Sequence, residues 1–426
     1  MAKIGIIGGS GLDDPKLLDD YLEKEVETPY GKPSSKITCG KIQGVEVCII
    51  ARHGKKHDIP PTNVNFRANI QALKQERCTH ILATTAVGSL REEIKPGDLV
   101  FPNQFIDFTK QRKMTFHDKD EVVHTPMAEP YNKELIQLLS QTATELNFQN
   151  HINKTIITIE GPRFSTKAES HMFRQWEADI INMSTCPEII LANELEIPYA
   201  TIAMSTDYDC WKEDEEPVTF EMVMKTMKEN AEKVKKLLLE IIPKLGGMDE
   251  EFIKSKIRTI PDFPKPGIMF RDITTLLADP EGMERVVEIL YDRYKDKNIH
   301  KIAGIESRGF IIGGILANKL QLPFIPIRKP GKLPAETISQ EYELEYGTDK
   351  VEIHKDAVKK GDNVLLVDDL VATSGTALAS CELIQKLEGK IEEIAFIIEL
   401  EDLGGRKKLE DKGHKVFSIV KFEESG

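Results

Sequence analysis

The segment VLLVDDLVATSGTA, residues 364–377, predicts a buried strand that ends in two carboxylates and turns directly into a helix. Small residues at such a turn let backbone N–H groups crowd round an anion, and the N-terminus of a helix adds partial positive charge. The GxxxxGK[ST] pattern of a Walker loop is absent. The segment therefore predicts an α/β fold with a site for one phosphate group, where Asp368 and Asp369 can contact ribose hydroxyls or Mg²⁺.

The rest of the chain alternates apolar strands with helical patterns, which predicts parallel or mixed sheets covered by helices. The predicted strands are KIGIIG (3–8), VEVCIIA (45–51), THILATT (79–85), DLVF (98–101), TIITIEG (155–161), YATIAMS (199–205), KIAGIE (301–306), PFIPI (323–327), NVLLVDD (363–369) and IAFIIEL (394–400). Between the two groups of strands, residues 219–242 form an amphipathic helical pattern. We expect Pro243 and the pair Gly246-Gly247 to end this helix.

Length and composition favour a cytoplasmic protein of two α/β domains. Because 426 residues exceed what one hydrophobic core usually supports, we expect domains at 1–245 and 253–426, joined by a linker at 246–252. The net charge of −13 argues against nucleic acid as a partner, and no apolar run reaches the ~20 residues that cross a membrane. Without a CxxC pair or a signal peptide, we expect free thiols at Cys39, Cys48, Cys78, Cys186, Cys210 and Cys381.

The 364–377 segment resembles the phosphoribosyl-diphosphate (PRPP) signature of the type I phosphoribosyltransferases. Four further segments are similar to adenine phosphoribosyltransferases: RTIPDFPKPGIMFRDIT (258–274), AGIESRGF (303–310), IRKPGKLP (327–334) and YELEYG (342–347). The resemblance implies a parallel sheet flanked by helices, with a hood, and transfer of phosphoribosyl from PRPP to adenine. It also implies Mg²⁺ bound mainly through PRPP. Ser374 departs from the glycine that is common in this family, which matters little if the backbone angle there is ordinary.

The same resemblance implies roles for the matching residues of the C-terminal half. They are Asp368 and Asp369 for the ribose hydroxyls; Ala372, Thr373, Ser374, Gly375 and Thr376 for the 5-phosphate; Arg308, Arg328, Lys329 and Lys332 for the diphosphate; Met269, Phe270 and Arg271 for adenine; and Glu345 and Tyr346 in a closing loop, with Glu345 catalytic. Such a site must stabilise the departing diphosphate and exclude water. A regulatory protein that binds PRPP without turnover is the alternative, which the Glu345-Tyr346 pair disfavours.

Three motifs of the N-terminal half also place anion-binding groups at the ends of predicted strands. GIIGGSGLDD (5–14) does not fit the dinucleotide pattern GxGxxG, and its glycine turn with a serine hydroxyl suits a single phosphate. ARHG (51–54) offers an arginine and a histidine, and TTAVGSL (84–90) offers hydroxyl and backbone donors. Because carboxyl ends of neighbouring strands meet at one sheet edge, these motifs predict a convergent phosphate site.

Together with ITIEGPRFST (157–166), INMST (181–185), PMAEPY (126–131) and STDYDCW (205–211), these motifs resemble methylthioadenosine phosphorylases of the trimeric purine nucleoside phosphorylase family. The resemblance spans about 3–243 and implies attack of phosphate on the anomeric carbon, which releases adenine and 5-methylthioribose 1-phosphate. The implied residues are Ser10, Arg52, His53, Thr85, Ala86 and Ser184 for phosphate; Met183 beneath the sugar; Asp207 and Asp209, both catalytic, at the purine; Phe164, Ser165 and Phe220 for substrate selection; and His124 reaching from a neighbouring subunit.

The two carboxylates favour a six-amino purine. A protonated Asp207 could donate to N7 of the leaving base, and Asp209 could accept from the six-amino group, whereas a six-oxo purine would set oxygen against oxygen. Phe220 is bulkier than the aliphatic residue we expect at its position, so a broader adenosine-type phosphorylase remains the alternative for this half.

The two implied reactions join through adenine, the product of one and the substrate of the other. We therefore expect small molecules as the partners, namely methylthioadenosine, phosphate, adenine and PRPP. The first family is commonly trimeric and the second dimeric. We expect a homo-oligomer, which closes as a hexamer if a threefold and a twofold axis meet suitably.

Overall fold

The computed structural model describes residues 2–8, 17–119, 122–212, 220–343 and 348–423, without the side chains of 220–225 and 343. It divides into two compact units, here called the N-terminal unit (2–247) and the C-terminal unit (248–426). Both are α/β. Among the described residues, no helix combines the length and apolar character needed to cross a membrane.

The N-terminal unit is built on one sheet of eleven described strands. These are β1 (Lys3–Gly8), β2 (Asp19–Lys24), β3 (Ile37–Ile42), β4 (Val45–Ala51), β5 (His80–Ser89), β6 (Leu99–Phe101), β7 (Gln104–Phe108), β8 (Asn150–Ile152), β9 (Thr155–Ile159), β10 (Ile180–Asn182) and β11 (Tyr199–Asp207). The helices are α1 (Phe66–Gln75), α2 (Lys133–Glu145), α3 (Lys167–Gln175), α4 (Thr185–Glu194) and α5 (Phe220–Lys256), with a 3₁₀ turn at Pro61–Asn63.

β5 is the centre of this sheet. It pairs in parallel with β1 and β11 and, at its carboxyl end, antiparallel with β10. The strand continues through Ser89, so TTAVGS, which we expected to follow the strand, belongs to it. Most residues of β1, β4, β5 and β11 are buried, as is typical of parallel strands covered on both faces. This arrangement brings the carboxyl ends of β1, β4, β5 and β11 to the same edge.

Local signals in the sequence explain where several helices begin. The side chain of Asn132 accepts a hydrogen bond from the backbone of Leu135 at the start of α2. Thr166 and Glu169 form a reciprocal capping box at the start of α3. Such caps satisfy N–H groups that have no partner within the helix.

The hairpin of β3 and β4 corrects the expectation of six free thiols, because Cys39 and Cys48 form a disulfide. The two residues lie directly opposite each other in the antiparallel register, with Cα atoms 4.3 Å apart. Gln43 and Gly44 form the two-residue turn, and both have positive φ angles, as a type I′ hairpin requires. The two cysteines are nine residues apart, and this spacing is not a recognised disulfide motif. Among the described residues, the other cysteines are free.

Helix α5 is also longer than we predicted. Pro243 and Gly246 were expected to end it, but it continues to Lys256, so the expected linker 246–252 is helical. Pro243 removes the N–H that would bond to the carbonyl of Leu239, and the side chain of Gln43 donates to that carbonyl instead, at 3.1 Å. A Cβ on Gly246 would lie 2.4 Å from Val45 Cγ2. Gly246 therefore allows close packing of the helix on β4. The expected domain bounds, 1–245 and 253–426, remain a prediction.

The C-terminal unit has a five-stranded parallel sheet and two antiparallel hairpins. Its strands are β12 (Arg258–Ile260), β13 (Phe270–Asp272), β14 (Lys301–Ile305), β15 (Phe324–Ile327), β16 (Thr337–Glu343), β17 (Thr348–His354), β18 (Asn363–Val371), β19 (Lys390–Leu400) and β20 (Val416–Phe422). Its helices are α6 (Thr274–Leu277), α7 (Pro280–Tyr294), α8 (Gly309–Leu320), α9 (Gly375–Lys386) and α10 (Gly405–Asp411), with a 3₁₀ turn at Glu401–Leu403.

The strand order of the parallel sheet is β15-β14-β18-β19-β20. β18 is therefore central, which agrees with the buried strand predicted from its apolar run. The carboxyl ends of β15, β14 and β18 are neighbours, and each is followed by residues that we assigned to the PRPP site. The hairpins β12–β13 and β16–β17 lie outside this sheet.

Candidate active sites

A cavity of about 460 Å³ lies at the carboxyl edge of the N-terminal sheet. Ten of its lining residues were predicted from the sequence: Arg52, His53, Thr85, Ala86, Phe164, Ser165, Met183, Ser184, Asp207 and Asp209. The structure therefore brings together the residues assigned to phosphate, sugar and base. Three separate motifs meet here because their strands end side by side.

Arg52 and His53 follow β4 at one end of this cavity. The guanidinium of Arg52 is buried and forms a bidentate ion pair with Glu188. Burial alone would lower the pKa of Arg52, but the charge and hydrogen bonds of Glu188 outweigh it and raise that pKa. Arg52 is therefore a permanently charged donor at the wall of the cavity.

His53 is neutral at physiological pH. Burial, and then the nearby charge of Arg52, lower the pKa of His53 to about 4. Its Nδ1 lies 3.0 Å from the carbonyl oxygen of Ile59. Because a carbonyl only accepts, Nδ1 carries the proton, and Nε2 is left as an acceptor.

A buried amide organises the hydroxyl groups of the same end. Thr85 and Ser184 lie within hydrogen-bond distance of each other, at 2.9 Å. Asn182 Nδ2 donates to Thr185 Oγ1 at 2.7 Å and to Thr85 Oγ1 at 3.2 Å, and its Oδ1 accepts from Thr158 at 2.9 Å. Sequence reasoning did not single out Asn182, although INMST contains it. An asparagine at a strand end indicates a site only once the neighbouring strand ends are known to meet there.

The other end of the cavity holds the two carboxylates of β11 and the loop after it. Asp207 Oδ1 accepts from the backbone N–H of Asp209 at 2.8 Å, and Thr206 Oγ1 lies 2.7 Å from Asp207 Oδ2. The hydroxyl of Ser165 lies 2.8 and 2.9 Å from the two oxygens of Asp209. We associated Ser165 with substrate selection, and the structure places it in direct contact with Asp209. Gly88 packs below both, since a Cβ there would lie 3.1 Å from Asp207 Oδ1.

The middle of the cavity is apolar and depends on a glycine. Met183 lies beside Gly161, whose φ of +69° is in the left-handed region. A Cβ on Gly161 would lie 2.5 Å from Met183 Sδ, so a larger residue would displace the thioether. Pro60, Pro61 and Met227 also line this part, and none of them was predicted from the sequence.

The structure does not test the assignments of three predicted residues of this half, Ser10, His124 and Phe220. Ser10 and the side chain of Phe220 lie outside the described residues. His124 is exposed and does not line the cavity of the single chain. Its assignment to a neighbouring subunit stays a prediction.

In the C-terminal unit, the predicted carboxylates lie at the end of β18. Asp369 is buried, and its Oδ2 lies 2.6 Å from Nε of Arg308, which follows β14. Asp368 is half-buried beside it. Burial, and then the charge of Asp369, raise the pKa of Asp368 well above its usual value.

The basic residues after β15 are held by Glu306, which directly follows β14. Glu306 accepts from Nε and NH2 of Arg328 at 3.2 Å each, and from the backbone N–H of Lys329 at 2.9 Å. The Nζ of Lys329 pairs with Asp349 on β17. Lys332 is exposed, and its backbone carbonyl accepts from Arg328. Strand ends bring Arg308, Arg328 and Lys329 to one edge, as we predicted for a diphosphate site.

The turn between β18 and α9 contains an unusual backbone angle. Ser374 has φ +69° and ψ 4°, so the angle is not ordinary, and serine is strained where glycine would not be. Its hydroxyl donates to the carbonyl of Thr373 at 2.6 Å. α9 begins at Gly375, so its N-terminus follows directly. The turn has the small residues and the helix N-terminus expected of a phosphate cradle.

The residues assigned to adenine lie on the hairpin of β12 and β13. The guanidinium of Arg271 lies 4.3 Å from the ring centroid of Phe422 and donates to Thr259 Oγ1 at 2.6 Å. Phe270 packs edge-to-face on Phe263, with ring centroids 5.1 Å apart. Met269 precedes β13 and is partly exposed. Arg271 also lies opposite Thr259 in the antiparallel register of this hairpin. Glu345 and Tyr346 lie outside the described residues.

Comparison with known proteins gives the same two-part division. Residues 3–243 match the Phosphorylase superfamily, and residues 272–425 match the Phosphoribosyl transferase domain. An S-methyl-5'-thioadenosine phosphorylase of Xenopus tropicalis is 56% identical over 265 residues, which cover 61% of this chain and 94% of that protein. The Drosophila melanogaster protein of the same name is 51% identical over 261 residues, covering 60% and 90%.

Solved structures agree with these relatives. Methylthioadenosine phosphorylase from Schistosoma mansoni, in complex with adenine, matches with a TM-score of 0.57 at 41% identity, over 59% of this chain and 94% of that chain. A mutant of adenosine/methylthioadenosine phosphorylase from the same organism, in complex with methylthioadenosine, matches with a TM-score of 0.56 at 40% identity, over 59% and 94%. The chain thus belongs to the phosphorylase superfamily through residues 3–243 and carries a phosphoribosyl transferase domain after them.

Proposed function

We propose that the N-terminal unit cleaves 5'-methylthioadenosine with phosphate, and that the C-terminal unit converts the released adenine into AMP. The observation that carries the first part is the cavity itself. A guanidinium and hydroxyl donors lie at one end, two carboxylates lie at the other, and Met183 lines the wall between them. A volume of about 460 Å³ is in the range of small-molecule sites. This order of groups suits phosphate, sugar and purine in a row.

In the proposed reaction, a phosphate oxygen forms a bond to the anomeric carbon while the bond from that carbon to the purine breaks. The electron pair of the broken bond goes to the base, whose N7 then needs a proton. We assign this proton to Asp207. Its Oδ1 accepts from the backbone N–H of Asp209 at 2.8 Å and its Oδ2 from the hydroxyl of Thr206 at 2.7 Å, so the orientation of the carboxyl is fixed.

Asp209 supports an adenine base rather than a six-oxo purine. Ser165 donates to its carboxylate and thereby fixes it as an acceptor, which a six-amino group can satisfy. The 5' substituent is less constrained by the described residues. Because a Schistosoma mansoni relative is named an adenosine/methylthioadenosine phosphorylase, adenosine is the second candidate substrate.

The C-terminal unit supports phosphoribosyl transfer to adenine. The turn after β18 would hold the 5-phosphate, Asp368 and Asp369 the ribose, and Arg308, Arg328 and Lys329 the leaving diphosphate. The bond from the ribose anomeric carbon to diphosphate breaks as the bond to the adenine nitrogen forms. The electron pair of the broken bond leaves with the diphosphate, and the proton of the adenine ring passes to a base, for which the sequence offers Glu345. The side chain of Arg271 contacts Thr259 and Phe422, and we assign recognition of the base to backbone groups around Met269 and Arg271.

Mg²⁺ fits this site as a companion of PRPP. Asp369 is paired with Arg308, and Glu306 is paired with Arg328. Among the described residues, the one cluster of metal-ligating groups is Cys39, Cys48 and Glu76, where both sulfurs are bonded to each other. PRPP oxygens would therefore supply most ligands, as Mg²⁺ prefers, and the ion would neutralise diphosphate charge.

Joining the two reactions would remove adenine as it forms. Phosphorolysis of a nucleoside is nearly balanced, so consumption of the base pulls it forward. We also propose a cytoplasmic homo-oligomer, with six copies if the trimeric and dimeric contacts of the two families are both kept. Light scattering at micromolar concentration tests this, and a monomeric mass would contradict it.

The test of the proposed function is an assay with methylthioadenosine, phosphate, PRPP and Mg²⁺, analysed for adenine and AMP. Omitting phosphate should abolish both products, and omitting PRPP should leave adenine. Asp209→Asn should abolish adenine release but still form AMP from added adenine. Asp369→Asn should do the reverse, so each variant is the control for the other. Inosine in place of methylthioadenosine should be a poor substrate, and equal rates would contradict the role of Asp209.

A further inference from the structure

We infer that Glu188 is a positioning residue for phosphate, which acts by fixing the guanidinium of Arg52 at the wall of the cavity. This inference rests on the proposed function, because it takes Arg52 as a phosphate ligand. Glu188 itself does not line the cavity, so it would act only through Arg52. It is fully buried on α4, 136 residues from Arg52 in the chain.

The hydrogen bonds of Arg52 leave a defined part of its guanidinium for a ligand. Nε donates to Glu188 Oε2 and NH2 donates to Glu188 Oε1, both at 2.8 Å. NH1 donates to the carbonyl of Thr84 at 2.8 Å. A guanidinium has five N–H donors, so these three contacts leave two, one on each terminal nitrogen. An anion in the cavity thus meets two donors whose directions are already set.

Glu188 is itself held in place by a third residue. Tyr199, at the start of β11, donates its hydroxyl to Glu188 Oε1 at 2.8 Å. Ser184, which lines the cavity, precedes Glu188 by four residues, and Cys186 between them is non-helical, with φ −97° and ψ 133°.

The pairing also changes what Arg52 contributes to binding. A buried arginine without a partner is costly, and Glu188 balances its charge inside the protein. The phosphate end then attracts its ligand through the directions of its donors more than through net positive charge. A long arginine side chain also has many rotamers, and the bidentate contact removes that freedom before phosphate arrives.

The experiment measures adenine release by the full-length chain, with phosphate and methylthioadenosine each varied in turn. Glu188→Gln keeps the shape but removes the charge, and we expect the KM for phosphate to rise about 10-fold, as for loss of a charge-assisted hydrogen bond. The KM for methylthioadenosine should change less than twofold. Tyr199→Phe removes only the hydroxyl and should raise the KM for phosphate in the same direction, by a few-fold.

A matched control comes from the C-terminal unit. Glu393 is a buried carboxylate that accepts from Nε and NH2 of Arg293 at 2.8 and 2.7 Å. Glu393→Gln breaks the same kind of pair in the other unit, and it should leave the KM for phosphate unchanged. A rise there equal to that of Glu188→Gln would overturn the inference.

Two further outcomes separate the inference from the proposed function. Arg52→Ala should abolish saturation by phosphate; if it does not, the proposed phosphate site itself is wrong. A different outcome refutes only the positioning role of Glu188. In that outcome Arg52→Ala abolishes saturation by phosphate, but the folded variants Glu188→Gln and Tyr199→Phe keep the wild-type KM for phosphate. Should Glu188→Gln fail to fold, Glu188→Asp, which keeps the charge but shortens the reach, takes its place under the same criterion.

Discussion

Gly405 is the residue whose replacement gives the sharpest test of the C-terminal phosphate cradle. It opens α10 and packs against the turn after β18, where a Cβ would lie 2.1 Å from the carbonyl oxygen of Ala372. Ordinary contacts begin near 3.4 Å, so Gly405→Ala requires a displacement of about 1.3 Å. Because the atom it meets belongs to the backbone, no side-chain rotation relieves the contact.

The displacement should fall on the turn rather than on the helix. Arg406, the next residue of α10, forms a bidentate pair with Glu399 on β19 and donates to the carbonyl of Val416 at 2.8 Å. These contacts fix the start of the helix. A shift of about 1 Å in groups that position a substrate can cost about 10²-fold in rate, and overpacking typically costs about 1–3 kcal/mol of stability.

We therefore expect Gly405→Ala to lower kcat/KM for PRPP by about 10²-fold, with adenine release by the N-terminal unit unchanged in the same sample. The assay follows AMP formation from adenine at varied PRPP. Gly314→Ala is the matched control, since a Cβ at Gly314 on α8 meets no atom within 4 Å. If Gly405→Ala is folded and keeps kcat/KM for PRPP within twofold of wild type, the cradle is not where we place it.

Three other substitutions test the remaining features. Ser374→Gly should relieve the left-handed strain and raise the midpoint of thermal unfolding of the C-terminal unit by roughly 2–4 °C, as for ~1 kcal/mol; a lower midpoint would mean that the hydroxyl contact outweighs the strain. Gly161→Ala should displace Met183 and lower kcat/KM for methylthioadenosine about 10-fold, without changing AMP formation from adenine. Between pH 6.5 and about 4 the folded chain binds fewer protons at His53 than the unfolded chain, so the free energy of unfolding falls as pH falls. From pH 6.5 to 5 this loss amounts to about 2 kcal/mol. Denaturant unfolding of His53→Gln at both pH values should not show this loss.

The sequence allowed the sites to be located because their residues are concentrated in short segments at strand ends. The pair DD follows the apolar run VLLV, and the pair RH follows VCIIA. Each pair could be assigned to the carboxyl edge of its sheet once the run was predicted to be a strand of a parallel sheet. Features that depend on two distant segments could not be predicted in this way. Pro243 and a glycine pair predict the end of α5, but the helix continues. Two contacts with the β3–β4 hairpin accompany this continuation: Gly246 packs on Val45, and Gln43 donates to the carbonyl of Leu239.

The strain at Ser374 shows a related limit. The sequence identified a departure from the family there, but its cost depends on a backbone angle that only the folded turn defines. Glu188 and Asn182 are similar cases within the N-terminal site. Both are polar residues in or beside apolar runs; Asn182 lies inside the INMST motif but was not singled out, and Glu188 lies outside the motifs. Their roles follow from the partners they meet, Arg52 and Thr85, which lie 136 and 97 residues away.

The arginines that we assign to anions are paired differently in the two units. The Arg52–Glu188 pair has side chains only 3% and 0% exposed, and Glu188 has no proposed contact with substrate, so the pair can stay intact when phosphate binds. Arg308 is 40% exposed and is paired with Asp369, the carboxylate that we assign to ribose. In the binding mode that we propose, Asp369 faces the ribose hydroxyls and Arg308 the diphosphate, so PRPP would replace this pair. The first arginine would then be preorganised for its anion, whereas the second would exchange one partner for another during binding.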